Sequence, residues 1–284
     1  MKRRGPLKEL WNSTEGRFSL VVISGLVILA IFAGWIAPYD PYDITQRTFP
    51  LQPPSTRHLL GTDGFGIDVL SQIIYGARVS LTIGVLVGVG VAAIGGFIGA
   101  LAATYGGISD TLSMRTVDFI MVLPGLPIMI MIMTTIGSSF WVMVMIFIMF
   151  GWAGTARVTR AIVLVEKSRG YVDAARCAGA SKMYVLMKHL LPATYSILFV
   201  TAAFAAGGAI LAEAGLAFLG FGDPKLVSWG KMLNFARTYN AMILGAWWWI
   251  IFPGVAVFLA SFSIMMMGIA LEKTFNPRLR ERDR

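Results

Sequence analysis

Long apolar blocks alternate with polar loops along this chain. Six of the blocks are long enough for a helix to cross the hydrocarbon core of a bilayer, which takes about 20 residues. They lie at residues 18–37, 80–104, 116–136, 140–165, 192–218 and 247–271. A helix satisfies all of its backbone polar groups within one segment, as the lipid interior requires. The pattern therefore predicts an all-α membrane protein with six transmembrane helices.

The loops between the apolar blocks divide the chain. The first block predicts a retained transmembrane helix, since it is longer than the apolar core of a cleaved signal peptide. A short loop is expected near residues 105–115, and an external polar segment at 225–245. We divide the chain into an N-terminal tail 1–17, a first transmembrane helix 18–37, an external segment 38–79, a core of five transmembrane helices 80–271 that includes the loop 166–192, and a tail 272–284.

The basic residues are concentrated on one side of the predicted membrane. Of the 24 Lys and Arg residues, 18 fall in the two tails, near Arg115, or between Arg157 and Lys188. Loops rich in Lys and Arg face the cytoplasm. We therefore expect both termini and the loop 166–192 to be cytoplasmic.

Composition agrees with a membrane protein and limits its chemistry. Hydrophobic residues make up 56% of the chain and charged residues only 14%, whereas soluble domains are about 25% charged. The net charge of +9 is dispersed between apolar blocks, which does not favour nucleic-acid binding. Cys177 is the only cysteine, and His58 and His189 fall on opposite sides. The sequence thus indicates neither a disulfide nor a Cys/His metal site.

Several glycines and two acids lie inside the apolar blocks. The pairs Gly84/Gly88 and Gly95/Gly99 predict close helix packing, because small residues four apart let backbones approach. An acid within a span is a candidate for function, since exposure to lipid costs at least ~2.5 kcal/mol. Glu213 is either a residue of the translocation path or gate, or a structural hydrogen-bonding anchor. Asp118 is either a path residue or part of a local ion pair, with Arg115 one turn away.

The loop 166–192 is the longest polar, basic stretch between two apolar blocks. Two short helices are expected in it, with Gly179 as the breaker between them and Ser181 as the N-cap of the second. Pro192 is expected to open the next apolar helix. Such a stretch lies in water beside the membrane.

Asp173, the two alanines after it, Gly179 and the pair Leu191-Pro192 resemble the EAA loop of ABC importer permeases. The resemblance implies that a short coupling helix docks onto a separate ATPase subunit. Asp173 stands where Glu is usual, and Ala193 where Asn is common. The residues to which the resemblance assigns coupling are Tyr171, Asp173, Ala174, Ala175, Arg176, Gly179, Ala180, Ser181 and Pro192.

Two further stretches resemble the dipeptide, oligopeptide and nickel branch of that family. The first begins HLLGTDGFGIDVLS at His58 and continues to YGARVSL, with Leu59 in place of the usual Pro and Ile67 in place of the usual Arg. The second is LAEAGLAFLGFG, which contains Glu213 and precedes Ser228-Trp-Gly. The signature residues of the external segment are Gly61, Thr62, Asp63, Asp68 and Arg78. The spacing of Asp63 and Asp68 lacks the ligand pattern of an EF-hand.

The resemblance implies the transmembrane-domain fold of an ABC type I importer, and that this chain is the smaller, C-type permease subunit. The cargo would be di- or oligopeptides, with nickel chelates or oligosaccharides as alternatives. The implied partners are a second homologous permease in a heterodimer, two ATPase subunits that carry ATP and Mg, and an extracellular or periplasmic solute-binding protein. The implied location is a prokaryotic cell membrane, and no cofactor is expected on this chain.

The chain itself is not expected to be an enzyme. It contains no GxxxxGK[ST] sequence, so it has no P-loop to hold a nucleotide. An ion-coupled secondary transporter is the rival interpretation. Such a protein would more often show internal repeats or several charges inside the membrane, and it would not need the spaced EAA-like loop.

Overall fold

The computed structural model describes residues 10–11 and 13–275. Residues 1–9, 12 and 276–284, which include most of both predicted tails, lie outside the described part. The main helices are α1 (Thr14–Ile31), α2 (Val69–Tyr105), α3 (Gly107–Val122), α4 (Gly125–Ile136), α5 (Phe140–Lys167), α6 (Gly170–Cys177), α7 (Leu191–Leu216), α8 (Trp229–Thr238) and α9 (Trp248–Phe275). Shorter helical turns are Ala33–Ile36, Ile44–Gln46, Lys182–Val185, Leu186–Leu190 and Ala217–Phe221.

The apolar blocks are helices of membrane-spanning length. Five described helical stretches pass that test, at Thr14–Ile31, Val69–Tyr105, Phe140–Lys167, Lys182–Phe221 and Trp248–Phe275. Helices α3 and α4 pass it together as one span bent by 85°. The bend falls at Pro124, which lacks an N–H and holds the preceding Leu123 in an extended conformation. The predicted all-α membrane fold is confirmed, with five candidate spans among the described residues, or six if the bent pair is one span.

One predicted loop is wrong, and one helix extends beyond its predicted apolar block. Instead of the expected loop at 105–115, only Gly106, with φ at +67°, separates α2 from α3, which begins at Gly107. Helix α2 begins at Val69, well before the predicted span at Ser80. The Asp68 side chain caps it by accepting a hydrogen bond from the Ser71 N–H. This cap lets the helix begin before the apolar block.

Helix α2 lies at the centre of the bundle and packs through its glycines. A Cβ on Gly88 would lie 2.6 Å from the Ala202 carbonyl oxygen of α7. A Cβ on Gly99 would lie 2.2 Å from the Ala156 carbonyl oxygen of α5. The glycine pairs therefore bring two different neighbours into backbone contact with α2, which confirms the prediction of close packing.

Pro192 lies in the first turn of α7, as the sequence predicts, but α7 follows the preceding helical turns without a gap. The helical stretch runs from Lys182 to Phe221 with a kink at Gly220, where φ is +103°, and the turn before the proline, Leu186–Leu190, is π-helical. Proline cannot donate to the ladder and its ring crowds the carbonyl four residues earlier. The wider π turn accommodates that ring without ending the helix. We call the side of the molecule that carries residues 166–192 the inner side, and the opposite side the outer side.

Candidate functional site

Helix α6 is fixed to the transmembrane bundle by a small apolar cluster on the inner side. Val172 is the residue of α6 that is buried in this cluster, and Val185 and Leu186 of the following turns belong to the same cluster. The same cluster includes Ala100 and Ala103 of α2 and Val163 of α5. One cluster therefore packs α6 against the inner ends of α2, α5 and α7.

The opposite face of α6 is exposed and made of small and charged side chains. Asp173, Ala174 and Arg176 are all exposed, and the Asp173 and Arg176 side chains pair at 3.4 Å. Gly179 ends the helix with φ at +85°, a conformation that glycine adopts without strain. A Cβ at Gly179 would meet nothing within 4 Å. The surface around Gly179 is therefore open to a partner.

Polar contacts fix both ends of this surface. Ser181 caps the next helix by accepting from the Tyr184 N–H, as the sequence predicts. Before α6, Glu166 pairs with Arg169 at 2.9 Å and accepts a hydrogen bond from the Tyr171 hydroxyl at 3.0 Å. Lys167 donates to the carbonyl oxygens that end α2. The structure thus gathers the predicted coupling residues at one inner corner, with Ala175 and Ala180 half-buried beneath the exposed ones.

Asp118 is not paired with Arg115. Its carboxylate accepts from Arg157 of α5, and nearer the inner side Asp110 pairs with Arg160, with Nη2 and Oδ2 2.6 Å apart. The local spacing favoured a partner on the same helix, but Asp118 faces α5. The two pairs fasten α3 to α5, so Asp118 has a structural partner.

Glu213 lies near the outer end of the helical stretch Lys182–Phe221 and is buried. Its Oε2 accepts from the Ser80 hydroxyl of α2 at 3.2 Å, and Ser228 also hydrogen-bonds this carboxylate. The side chain lines a cavity of ≈ 10 Å³ together with Asp223, which has room for about one water molecule. In this conformation Glu213 is sealed from both sides of the membrane.

Residues 217–228, which we call the outer turn, close the molecule above Glu213. The Asp223 carboxylate caps α5 by accepting from the Phe140 N–H at 3.0 Å. The Lys231 ammonium donates to the carbonyl oxygens of Asp223, Pro224 and Leu226. Sequence reasoning missed both residues, and the polar Asp-Pro-Lys in an apolar context was the signal that could have found Asp223. The outer turn, which follows α7, thus joins it to α5 and α8.

The signature residues of the external segment hold that segment together. A Cβ on Gly61 would lie 2.6 Å from Nε1 of Trp248, which donates to the Thr62 carbonyl oxygen. Asp63 accepts from two backbone N–H groups and from Gln72, and burial raises the pKa of its carboxyl group. Asp68 pairs with His58 at 3.0 Å.

Arg78 joins the first transmembrane helix to the core. Its guanidinium donates to the carbonyl oxygens of Ala30 and Ile31, which are left without partners at the end of α1. A cation at a helix C-terminus is favourable because it meets the negative end of the dipole. The signature residues therefore hold the external segment together and attach α1 to the core.

An apolar groove runs along α2, α5 and α7 below the outer turn. Its volume is ≈ 240 Å³. It is lined by Val87, Val91, Met129, Phe147, Phe150, Gly151, Ala205, Gly208, Ala209 and Ala212. The described residues contain no cluster of three or more His, Cys, Asp or Glu side chains that could hold a metal ion.

Comparisons with known proteins agree with one another. Residues 95–281 match the family of binding-protein-dependent transport system inner membrane components. Residues 16–54 match the N-terminal transmembrane domain of oligopeptide transport permease C. The di/tripeptide transport system permease protein DppC of Pseudomonas aeruginosa is 38% identical over 287 residues, covering 97% of this chain and 93% of that protein. A Brucella suis protein named as a candidate peptide transport system permease is 38% identical over 274 residues, covering 96% of this chain and 91% of its own length.

Proposed function

We propose, from the premise that this chain belongs to the family of binding-protein-dependent transport system inner membrane components, that it forms half of a peptide translocation path and is driven by separate ATPase subunits. The observation that carries the proposal is the exposed surface around Gly179, because it is open, carries small side chains and is packed against three transmembrane helices. A subunit docked there would move those helices together.

The helical stretch from Lys182 to the kink at Gly220 is long enough to connect the two sides of the membrane. At ~1.5 Å per residue it extends over roughly 55 Å. Its inner end lies in the apolar cluster with Val172, and its outer end carries Glu213 and the outer turn. A displacement of α6 by the ATPases would be transmitted to the outer turn and would open or close the groove beneath it.

Di- or oligopeptides are the proposed cargo. The support is that relatives covering most of this chain are named for peptide or di/tripeptide transport. Nickel chelates or oligosaccharides are the alternatives within the same type of importer. In this proposal Glu213 belongs to the gate at the outer turn, and Asp118 helps to hold the bent span beside the path.

The proposed assembly follows from the family. A second, homologous permease completes the path, two ATPase subunits hold ATP and Mg on the inner side, and an external solute-binding protein delivers cargo. The chain itself holds no cofactor. We place both termini and residues 166–192 in the cytoplasm and the protein in a prokaryotic cell membrane, because 18 of 24 basic residues then lie inside. Of the proposed units, the first transmembrane helix 18–37, the external segment 38–79 and the core 80–271 fall within the described residues.

Replacing Gly179 tests the coupling surface. Gly179→Trp places a bulky side chain where docking requires a flat surface, so we expect ATPase co-purification and ATP-dependent peptide uptake in proteoliposomes to fall by at least about tenfold. Such a loss corresponds to about 1.4 kcal/mol of docking energy. The fold should survive, because a Cβ at this position meets no other atom.

Two control variants separate docking from backbone strain. Gly137→Trp introduces the same kind of strain on the outer side, since Gly137 also has a positive φ and open space around it. Gly179→Ala introduces the strain with little bulk. We expect both to retain uptake, and equal uptake in Gly179→Trp and Gly137→Trp would contradict the coupling assignment.

A further inference from the structure

The turn between α8 and α9 exposes three consecutive apolar side chains. Met242, Ile243 and Leu244, which we call the outer tip, are 62%, 84% and 58% exposed. Tyr239 before the tip and Trp247 after it are half-exposed. On the outer surface of a protein, a cluster of this kind marks a contact with another apolar phase.

The outer tip is held rigidly by its own backbone. Asn240 has a positive φ, and its carbonyl oxygen accepts from the N–H groups of Ile243 and Leu244 at 2.9 and 3.1 Å. Ala241 and Ala246 on either side are fully buried in the core cluster that contains Trp248. The turn therefore presents the tip in one conformation, and its internal hydrogen bonds lower the cost of leaving water.

The position of the tip points to lipid. Leu244 precedes Trp248, the first residue of the span α9, by a stretch of chain that can extend at most roughly 14 Å. No Asp, Glu, Lys or Arg occurs from residue 238 to residue 271. Exposed Tyr and Trp side chains beside a span are typical of the zone of lipid headgroups. The tip is thus continuous with the apolar surface of a membrane helix.

We propose that the outer tip inserts into the outer lipid leaflet and anchors α8 to the membrane surface. Helix α8 carries Lys231, which binds the carbonyl oxygens of the outer turn. Lipid contact at the tip would therefore give the outer turn a fixed support while α7 moves. The inference is independent of the cargo and of the ATPase partners.

Fluorescence quenching tests the insertion. The full chain, with the subunits that co-purify with it, is placed in lipid nanodiscs. Cys177→Ser removes the only cysteine, and Ile243→Cys then carries a bimane label. We expect nitroxide-bearing lipids to remove most of its emission and aqueous iodide to remove little. Ile44→Cys is the matched control, since Ile44 is likewise a largely exposed isoleucine, at 70%, but lies among Asp40, Asp43 and Arg47. Its label should respond to iodide and not to the lipid quencher.

The remaining outcomes overturn the proposal. Iodide quenching alone at residue 243 would place the tip in water, and protection from both quenchers would place it against another protein. A second variant excludes insertion by the dye itself. With the label on Leu244→Cys, adding Ile243→Glu should convert lipid quenching to iodide quenching, because a charge cannot enter the leaflet cheaply. Lipid quenching that persists in this variant would show that the dye, and not the tip, enters the membrane.

Discussion

At the scale of single residues, the buried Glu213 carboxylate connects three parts of the molecule. Its hydrogen bonds reach Ser80 of α2 and Ser228 beside α8, and Glu213 itself belongs to α7. A buried acceptor of this kind stabilises a structure only while its donors remain in place. In the proposed mechanism, movement of α7 would have to break these bonds before the outer turn opened.

Substitutions of Glu213 test this connection. Glu213→Gln keeps the shape and an acceptor oxygen, so we expect near-normal uptake and near-normal hydrogen exchange in residues 217–228. Glu213→Ala leaves two hydroxyls without an acceptor and enlarges the cavity. We expect it to cost about 2–4 kcal/mol and to accelerate exchange in the outer turn. Normal exchange in Glu213→Ala would contradict the anchor, and loss of uptake in Glu213→Gln alone would assign the function to the charge.

Lys231 stabilises the outer turn in a way that depends on pH. At neutral pH, Lys231→Met removes a donor from three carbonyl oxygens, and we expect a lower Tm, corresponding to about 1–3 kcal/mol. The exposed Lys225→Met is the control and should change Tm little.

The sign of the pH effect follows from burial, which lowers the pKa of the Lys231 ammonium. Between that lowered pKa and the ordinary lysine value of ~10.4, the unfolded chain binds more protons than the folded protein. The contribution of Lys231 to the free energy of unfolding therefore rises with pH in that window. We expect the Tm difference between wild type and Lys231→Met to grow from neutral to alkaline pH. A difference that shrinks would show that the carbonyl contacts, and not burial, determine the protonation of Lys231.

At the scale of helices, glycine contacts set the distance between α2 and α5. Gly99→Ala would place a Cβ 2.2 Å from the Ala156 carbonyl oxygen, so the helices must separate, at a cost of about 1–3 kcal/mol. Gly154→Ala on α5 is the matched control, because a Cβ there meets nothing within 4 Å. Thermal unfolding in detergent should show a lower Tm for Gly99→Ala and an equal or higher Tm for Gly154→Ala.

The spans could be predicted from sequence because length and hydropathy alone define a membrane helix. Gly179 and Ser181 could be predicted because a helix breaker and an N-cap act within a few residues. The partner of Asp118 could not, since Arg157 lies on another helix and only the packed bundle shows which way Asp118 faces.

The contacts of the outer turn could not be predicted from local sequence either. Phe140 and Asp223 are 83 residues apart in sequence, and no local pattern predicts that one caps the other. The early start of α2 depends on Asp68, which has a second contact with His58. Contacts of this kind arise when distant segments fold against each other, so local periodicity carries no signal for them.

At the scale of the whole molecule, the exposed surface around Gly179 and the outer turn lie at opposite ends of the helical stretch Lys182–Phe221. The groove below the outer turn lies beside that helix and is lined by Ala205, Gly208, Ala209 and Ala212. If α7 transmits the movement of α6, then the side of the membrane from which the groove is reached must change with the nucleotide state of the ATPases.

Thiol accessibility tests this change directly. In a Cys177→Ser background, Ala212→Cys places a single thiol in the groove. With the assembled transporter in sealed proteoliposomes, we expect a membrane-impermeant maleimide to reach this thiol from the inner side without nucleotide. With ATP trapped on the ATPases, it should react from the outer side. Phe258→Cys on α9 is the control, since Phe258 is 58% exposed on a helix that does not line the groove, and its labelling should not depend on nucleotide. Labelling of Ala212→Cys from one side in both states would mean that the helix does not carry the movement, even if the ATPases dock at Gly179.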